Sequence, residues 1–278
     1  MATRRIATAT TAGVLRPDEL ARHVSVQRTV GAEDLALWVE YHWTLHWDLP
    51  ADTVFRSSVI PGPACHISVE HGASRPEAAG ETVVVTGVTT RRFDTAVSGC
   101  GWVHGLKLRP GALVALAGAD VRSLTDRTVP AVDVLPRSVC DALCTIATDT
   151  DPGAATHLAE EALRPLVPVE TDPSYDLVLT LVTDMLGDPS LLRVDDLAAR
   201  HHLSQRTIER LFARYVGVGP KWVLARYRMH NVVTALDDGY VGSLADLAST
   251  YGWYDQAHFG REFTKLVGVR PSDYRAGN

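Results

Sequence analysis

One stretch of this chain is written twice. Leu197-Ala198-Ala199, Leu203-Ser204, Ile208, Arg210-Leu211-Phe212 and Val216-Gly217-Val218-Gly219-Pro220 return as Leu247-Ala248-Ser249, Trp253-Tyr254-Asp255, Phe259, Arg261-Glu262-Phe263 and Val267-Gly268-Val269-Arg270-Pro271. The offset is 50 residues up to an internal turn and 51 after it. A one-residue slip at a turn with helical text on both sides reads as a duplicated helix-turn-helix, with units at about 194–215 and 244–266.

The faces of the second helix in each unit differ sharply. Ser204 is a good N-cap, and Ile208, Leu211, Phe212 and Tyr215 follow at i, i+3, i+4 and i+7 as one buried stripe. The opposite face then holds Gln205, Arg206, Glu209 and Arg210. In the second unit Ser243 to Asp246 forms a capping-box pattern, Tyr251-Gly252-Trp253 makes the turn, and Asp255 caps a helix that buries Phe259, Phe263 and Leu266. Gln256, His258, Arg261 and Lys265 stay outside. Arginine grips guanine through two acceptors, glutamine pairs with adenine, Glu209 accepts from a cytosine amino group or orients Arg206, and Lys265 suits phosphate. The chemistry fits double-stranded DNA read at two successive stretches of major groove. A helix, Lys221 to Leu236, joins the units and fixes their separation, ending at Asp237-Asp238-Gly239.

Net charge is −6 over 278 residues, which at first argues against a nucleic-acid partner. The total hides a split. Residues 190–278 carry 12 Lys+Arg against 9 Asp+Glu, a net +3, and residues 1–189 carry 15 against 24, a net −9. Positive charge thus sits where the repeat lies.

Upstream, short β-like runs alternate with turn residues: Val39 to Trp47, Val54 to Ile60, His66 to Glu70, Thr82 to Val88 and Val103 to Leu108. Regular alternation would put Val39, Tyr41, Trp43, Leu45 and Trp47 on one face and His42 and His46 on a solvated one. Helical spacing follows over Arg137 to Ala147 and Ala154 to Leu166. Three prolines in ten positions from Arg164 to Pro173 then make a stiff connector. Ser174 is placed to cap the next helix, which carries Leu177, Val178, Leu181, Val182 and Met185 and stops at Gly187-Asp188-Pro189. The expected class is α+β in two domains: a flexible tail over 1–20, a β-rich domain built as a small barrel or cupin-like fold with trailing helices over 21–164, a linker over 165–173, and an all-α double helix-turn-helix domain over 174–278.

The residues also resemble a known family. The segment from about Asp172 to Arg275 is similar to the DNA-binding domain of AraC/XylS-type transcription regulators. Tyr251-Gly252-Trp253-Tyr254-Asp255-Gln256-Ala257-His258-Phe259-Gly260-Arg261-Glu262-Phe263 and Gly268-Val269-Arg270-Pro271-Ser272-Asp273-Tyr274-Arg275 carry the match. The resemblance implies a seven-helix domain whose two recognition helices enter adjacent major-groove segments on one face of bent DNA. It points to Arg206, Glu209 and Arg210, and to Gln256, Ala257, Gly260 and Arg261, as base-contacting positions. Ala257 and Gly260 are too small to hydrogen-bond bases through side chains, so the first unit is expected to discriminate bases more than the second. Trp38 to Pro50, Pro61 to Glu70, Gly105 to Gly111 and Leu124 to Arg127 resemble more loosely the N-terminal domain of one subgroup, which implies effector sensing or self-association.

The implied function is sequence-specific transcription regulation, with RNA polymerase, a small-molecule effector and a second copy of the chain as further candidate partners. No nucleophile elbow, phosphate loop or paired-carboxylate signature occurs, so neither an enzyme nor a cofactor is expected. His42, His46, His66, His71 and His104 lack His-x-His spacing, and no metal is expected. The alternative is a cupin-like metal-binding or enzymatic domain fused to a DNA-binding one; a helical protein-interaction domain is a third reading. Cys65, Cys100, Cys140 and Cys144 include no Cys-x-x-Cys pair and suit free thiols, with Cys140 and Cys144 as buried small hydrophobes beside Val139, Leu143 and Ile146. No run of about 18 apolar residues and no signal-peptide h-region are present, so a cytoplasmic, nucleoid-associated protein is expected.

Overall fold

A computed structural model describes residues 13–50, 52–72, 80–148 and 150–276. In chain order the elements are α1 (Pro17–Ala21), β1 (Ser25–Thr29), β2 (Val39–Asp48), β3 (Val54–Val59), β4 (His66–His71), β5 (Val83–Thr86), β6 (Phe93–Ser98), β7 (Cys100–Leu108), α2 (Ala112–Ala117), β8 (Thr128–Pro130), α3 (Arg137–Cys144) and α4 (Pro152–Leu163). Helices follow: α5 (Pro173–Gly187), α6 (Val194–Arg200), α7 (Gln205–Tyr215), α8 (Pro220–Asp237), α9 (Leu244–Thr250), α10 (Gln256–Val267) and α11 (Pro271–Ala276). The chain is α+β, with strands before the connector and helices alone after it.

The strands form a six-stranded antiparallel sheet in the order β1-β2-β7-β4-β5-β8 and a separate β3-β6 pair. Among the described residues β1 and β8 are free edges, so the expected closed barrel is not formed. Regular alternation in β2 also fails. The register shifts between Val39 and Tyr41, and both faces of the strand are covered. Trp47 is buried with Phe55 and Val103, but Tyr41 and Trp43 are only half-buried, and Tyr41 lies between the Arg28 and Lys107 cations.

The histidine face is not solvated as expected. His42 and His104 are buried, because α4 covers that side and sets Glu160 Oε1 3.4 Å from His42 Nε2. His42 Nδ1 lies 3.3 Å from His104 Nε2, and Thr44 Oγ1 lies 3.5 Å from His104 Nδ1. Only His46 keeps the exposed position.

Three further expectations change. Residues 13–20 do not form a flexible tail: Val14 bridges Val59, the Leu15 N–H donates to Ser58 O at 3.0 Å, and Leu15 is buried with Ile60 beside Met229 and Tyr274. Residues 1–12 lie outside the described residues. The α5 N-cap is Asp172 rather than Ser174; its carboxylate accepts the Ser174 N–H at 2.8 Å and Pro173 takes the first helical position. Cys140 is buried but Cys144 is exposed, being on the outer side of α3; both are free thiols.

The proline-rich connector does not separate two cores. One apolar cluster runs from Leu35, Ile67 and Leu106 in the sheet domain through Leu113 in α2 to Tyr175, Ile208, Phe212 and Leu224. A second unites Leu15 and Ile60 with Met229, Trp253, Phe259 and Phe263. His230 of α8 is buried in this seam, with its Nε2 2.9 Å from Ile60 O.

Burial sets a pH dependence. Desolvation holds His104 down at about 4, helped by the neighbouring His42, and His230 down at about 3, helped by Arg226. Both rings stay neutral in the fold while an unfolded chain protonates them below about 6.5, so the unfolded state binds more protons and stability falls as pH falls. Well below pH 6.5 each histidine contributes a slope of ~1.4 kcal/mol per pH unit. Denaturant midpoints measured from pH 7 to 5 are expected to drop steeply below 6.5; a flat profile would contradict the burial.

Candidate nucleic-acid interface

Both helix-turn-helix units are built by the same local hydrogen bonds. After α6 the chain turns at His202, a left-handed residue at φ 53°, and the Leu203 N–H returns to Ala198 O at 2.9 Å. After α9 it turns at Gly252, φ 78°, and the Trp253 N–H returns to Ala248 O at 2.9 Å. Histidine tolerates this left-handed region better than most side chains, while glycine occupies it without steric cost. The copies diverge by one residue, Tyr254, which extends the second turn and is 97% exposed. That insertion is the slip from 50 to 51.

The second helix of each unit, α7 or α10, is then capped by a side chain at its own N-terminus. Ser204 Oγ accepts the Thr207 N–H at 3.1 Å, and Asp255 Oδ1 accepts the His258 N–H at 2.7 Å. Caps at equivalent positions start α7 and α10 in phase, so Gln205 matches Gln256, Arg206 Ala257, Glu209 Gly260, Arg210 Arg261 and Arg214 Lys265. Ile208, Phe212 and Tyr215 are buried on α7, and Phe259, Phe263 and Val267 on α10. Leu211 and Leu266 are only half-buried. The buried stripe fixes which face is presented.

That face carries the residues expected from sequence. Ser204, Gln205, Arg206, Glu209 and Arg210 are exposed around the first helix, and Asp255, Gln256, Ala257, His258, Arg261 and Lys265 around the second; Gly260 is half-exposed. Among the described residues Arg206, Arg210, Arg261 and Lys265 make no ion pair. Arg206 and Arg210 stand one helical turn apart, so their charges add on one face, an arrangement that favours an anionic partner. His258 is 3.5 Å from Glu262, which ties it partly to its own helix.

Residues behind the face hold it in place. Trp253 Nε1 donates to Glu262 Oε2 at 2.6 Å, the Arg228 guanidinium lies 4.9 Å over the Trp253 ring, and its Nη1 donates to Gly252 O at 3.2 Å. Thus α8 and α10 both grip the second turn. Sequence reasoning passed over Glu262 and Arg228 in this role because their partners lie 9 and 24 residues away across a turn. It also passed over Tyr254, although the change of offset marks that position.

Among the described residues no helix is long and apolar enough to cross a membrane, and no cluster of three or more His, Cys, Asp or Glu side chains has a metal-holding arrangement.

Residues 197–277 match the model of a helix-turn-helix domain family, and residues 27–130 match a domain family of unknown function, DUF6597. The HTH-type transcriptional regulator GbdR of Pseudomonas aeruginosa is 27% identical over 105 residues, which cover 38% of this chain and 28% of that protein. A putative AraC-like transcription regulator of Streptomyces lividans is 31% identical over 100 residues, 36% of this chain and 33% of that protein. The chain therefore spans about a third or less of the length of these curated relatives. Among solved structures, an AraC-type DNA-binding domain-containing transcriptional regulator from Chromobacterium violaceum is 25% identical, with 34% of this chain and 86% of that chain covered at a TM-score of 0.32. ToxT from Vibrio cholerae is 10% identical, with 91% and 97% covered at a TM-score of 0.37.

Proposed function

We propose that this chain, whose C-terminal domain is of the AraC/XylS type, is a transcription regulator that binds double-stranded DNA by sequence. The observation that carries the reading is the repeated polar face: two capped helices, in phase, each presenting a glutamine and an arginine at matching positions with no ion pair among the described residues. Arg206, Glu209 and Arg210 read bases from α7, and Gln256 and Arg261 from α10. Ser204, Gln205, Asp255, His258 and Lys265 border phosphate, and the backbone at Ala257 and Gly260 approaches the groove closely because neither carries a long side chain. Tyr254 joins this set as a contact to sugar or phosphate.

Residues 21–164 form the sensor or oligomerisation domain in this proposal, residues 165–173 the connector and residues 174–278 the DNA-binding domain. RNA polymerase, a small-molecule effector and a second copy of the chain are its further proposed partners, acting in the cytoplasm and nucleoid. Regulation by the N-terminal domain is supported by the apolar seam it shares with both helix-turn-helix units.

Arg206→Ala and Arg261→Ala are each expected to cost about 1–3 kcal/mol on a duplex selected from a random library by the full chain, and much less on unrelated duplex. Affinities measured on both duplexes check this. Equal losses on the two would mean that these arginines touch phosphate alone, and absence of any selected duplex would overturn the proposed function.

A further inference from the structure

The two helix-turn-helix units meet the N-terminal domain at the same place in their repeat. Gly217 and Gly268 are equivalent positions, one just past α7 and the other at the C-cap of α10, with φ of 83° and 94°. A Cβ at Gly217 would stand 2.9 Å from Val121 O, and a Cβ at Gly268 would fall on the Arg92 guanidinium. Both recognition helices therefore end against loops of the sheet domain.

Those loops are joined to each other. In the segment between β5 and β6, the Gly87 N–H donates to Arg127 O and Val88 O accepts the Asp126 N–H, both at 3.0 Å. Gly87 has no room for a side chain, because a Cβ would fall on the Leu124 backbone. Asp126 sits in the left-handed region at φ 59°, and its carboxylate takes both the N–H and the hydroxyl of Thr90, each at 2.6 Å. Charged acceptors make these among the stronger hydrogen bonds available to a loop.

Three contacts pass from the paired loops to the helices. Arg92 Nη1 donates to Val267 O at 2.7 Å, where the carbonyl end of α10 carries partial negative charge. Asp94 aims that guanidinium, lying 2.7 Å from its Nε and accepting from its Nη2 at 3.1 Å, and Ser58 Oγ donates in turn to Asp94 at 2.6 Å. Thr90 O accepts Arg226 Nη2 at 2.6 Å, from a buried arginine on the helix that links the two units. Thr125 Oγ1 lies 3.4 Å from Gly217 O at the end of α7.

We propose that the paired loops 87–92 and 121–127 brace the C-terminal ends of both recognition helices, making Thr90, Arg92, Asp126 and Arg226 positioning residues for the spacing at which two DNA segments are read. The proposal rests on the DNA-binding reading. Contacts at the end of α7, along α8 and at the end of α10 suffice to define one relative placement. The 12 residues of α10 span about 18 Å, so a tilt of about 10° at the braced end moves the base-reading end by about 3 Å. That is close to the rise of one base pair, ~3.4 Å. A loosened brace would let the second unit meet DNA one base pair out of register.

The test uses the full chain and the duplex it selects, together with duplexes carrying one or two base pairs more or fewer between the two contacted segments. Wild type is expected to lose about tenfold or more in affinity for each altered spacing, as a misplaced contact costs on the order of one mismatched base pair. Arg92→Ala is expected to shrink that penalty to less than about threefold, and Arg92→Lys, which keeps a donor for Val267 O, to restore most of it. Asp126→Asn, which suits the left-handed backbone and retains one acceptor for Thr90, is expected to flatten the profile in part and covers the case in which Arg92→Ala fails to fold. A wild-type spacing profile in folded Arg92→Ala and Asp126→Asn, with or without a uniform loss of affinity, would overturn the brace and leave DNA binding standing. A wild-type chain that selects no duplex would overturn the DNA-binding reading, and the brace with it.

Discussion

Tyr175 and Tyr215 stack at 6.5 Å between ring centroids, where the connector, α2 and α7 meet. Tyr175 Oη donates to Leu37 O at 2.5 Å, and Tyr215 Oη donates to Asp172, the residue that caps α5. Gly111, at φ 89°, lets the backbone before α2 pass both tyrosines, since a Cβ there would stand 3.2 Å from the Tyr175 ring and 3.2 Å from the Tyr215 Cβ. Burial pushes the Tyr175 phenol well above its usual range, and the Tyr215 hydroxyl holds Asp172 below its own. A joint this apolar, in which each polar tip has a partner, fixes α7 to the sheet domain. The placement of the exposed face of α7 follows from it.

The second unit is held differently. Its core draws in Leu15 and Ile60 from the N-terminal region, but its polar ties to that region run through single groups: His230 to Ile60 O, and Arg92 to Val267 O. Arg226 sits between, its pKa pushed down to about 10 by burial. One guanidinium nitrogen donates to Thr90 O while Nη1 finds no partner among the described residues. A buried cation with an unmet donor is costly, and the Trp222 ring 4.6 Å below the guanidinium offsets part of that cost. Both units thus share apolar contacts with the N-terminal region, the first through the stacked tyrosine pair and the second through Leu15 and Ile60, and the second adds the Arg92 and His230 hydrogen bonds.

What the sequence made legible was local. Ser204, Ser243 and Asp255 act as caps within three residues of their partners, and the buried stripes of α7 and α10 repeat with helical period, so the exposed faces of both helices could be placed from text alone. Asp172 was open to the same logic, since Asp-Pro supplies a cap followed by proline at the first helical position, but Ser174 drew the assignment away. The misses were long-range. His42 and His104 became a buried pair because α4, more than 100 residues after His42, lies over their strand face. No spacing within β2 could report that. The free edges at β1 and β8 depend on which strands pair across the sheet, and the short strands β1 and β8 carry no alternation to stand out by.

The exposed faces of α7 and α10 differ at matched positions, Arg206 against Ala257 and Glu209 against Gly260 in particular, while Gln205/Gln256 and Arg210/Arg261 are kept. Two helices that share cap, turn and buried stripe, and are held on one body, are expected to reach two major-groove segments on the same face of a duplex, about one helical turn apart. Methylation interference at guanine N7, which lies in the major groove, measures this directly on the duplex selected by the full chain. Two clusters of interfering guanines about 10 base pairs apart, the stronger one lost in Arg206→Ala, are the predicted result. A single cluster, or interference spread evenly along the duplex, would contradict the two-reader account.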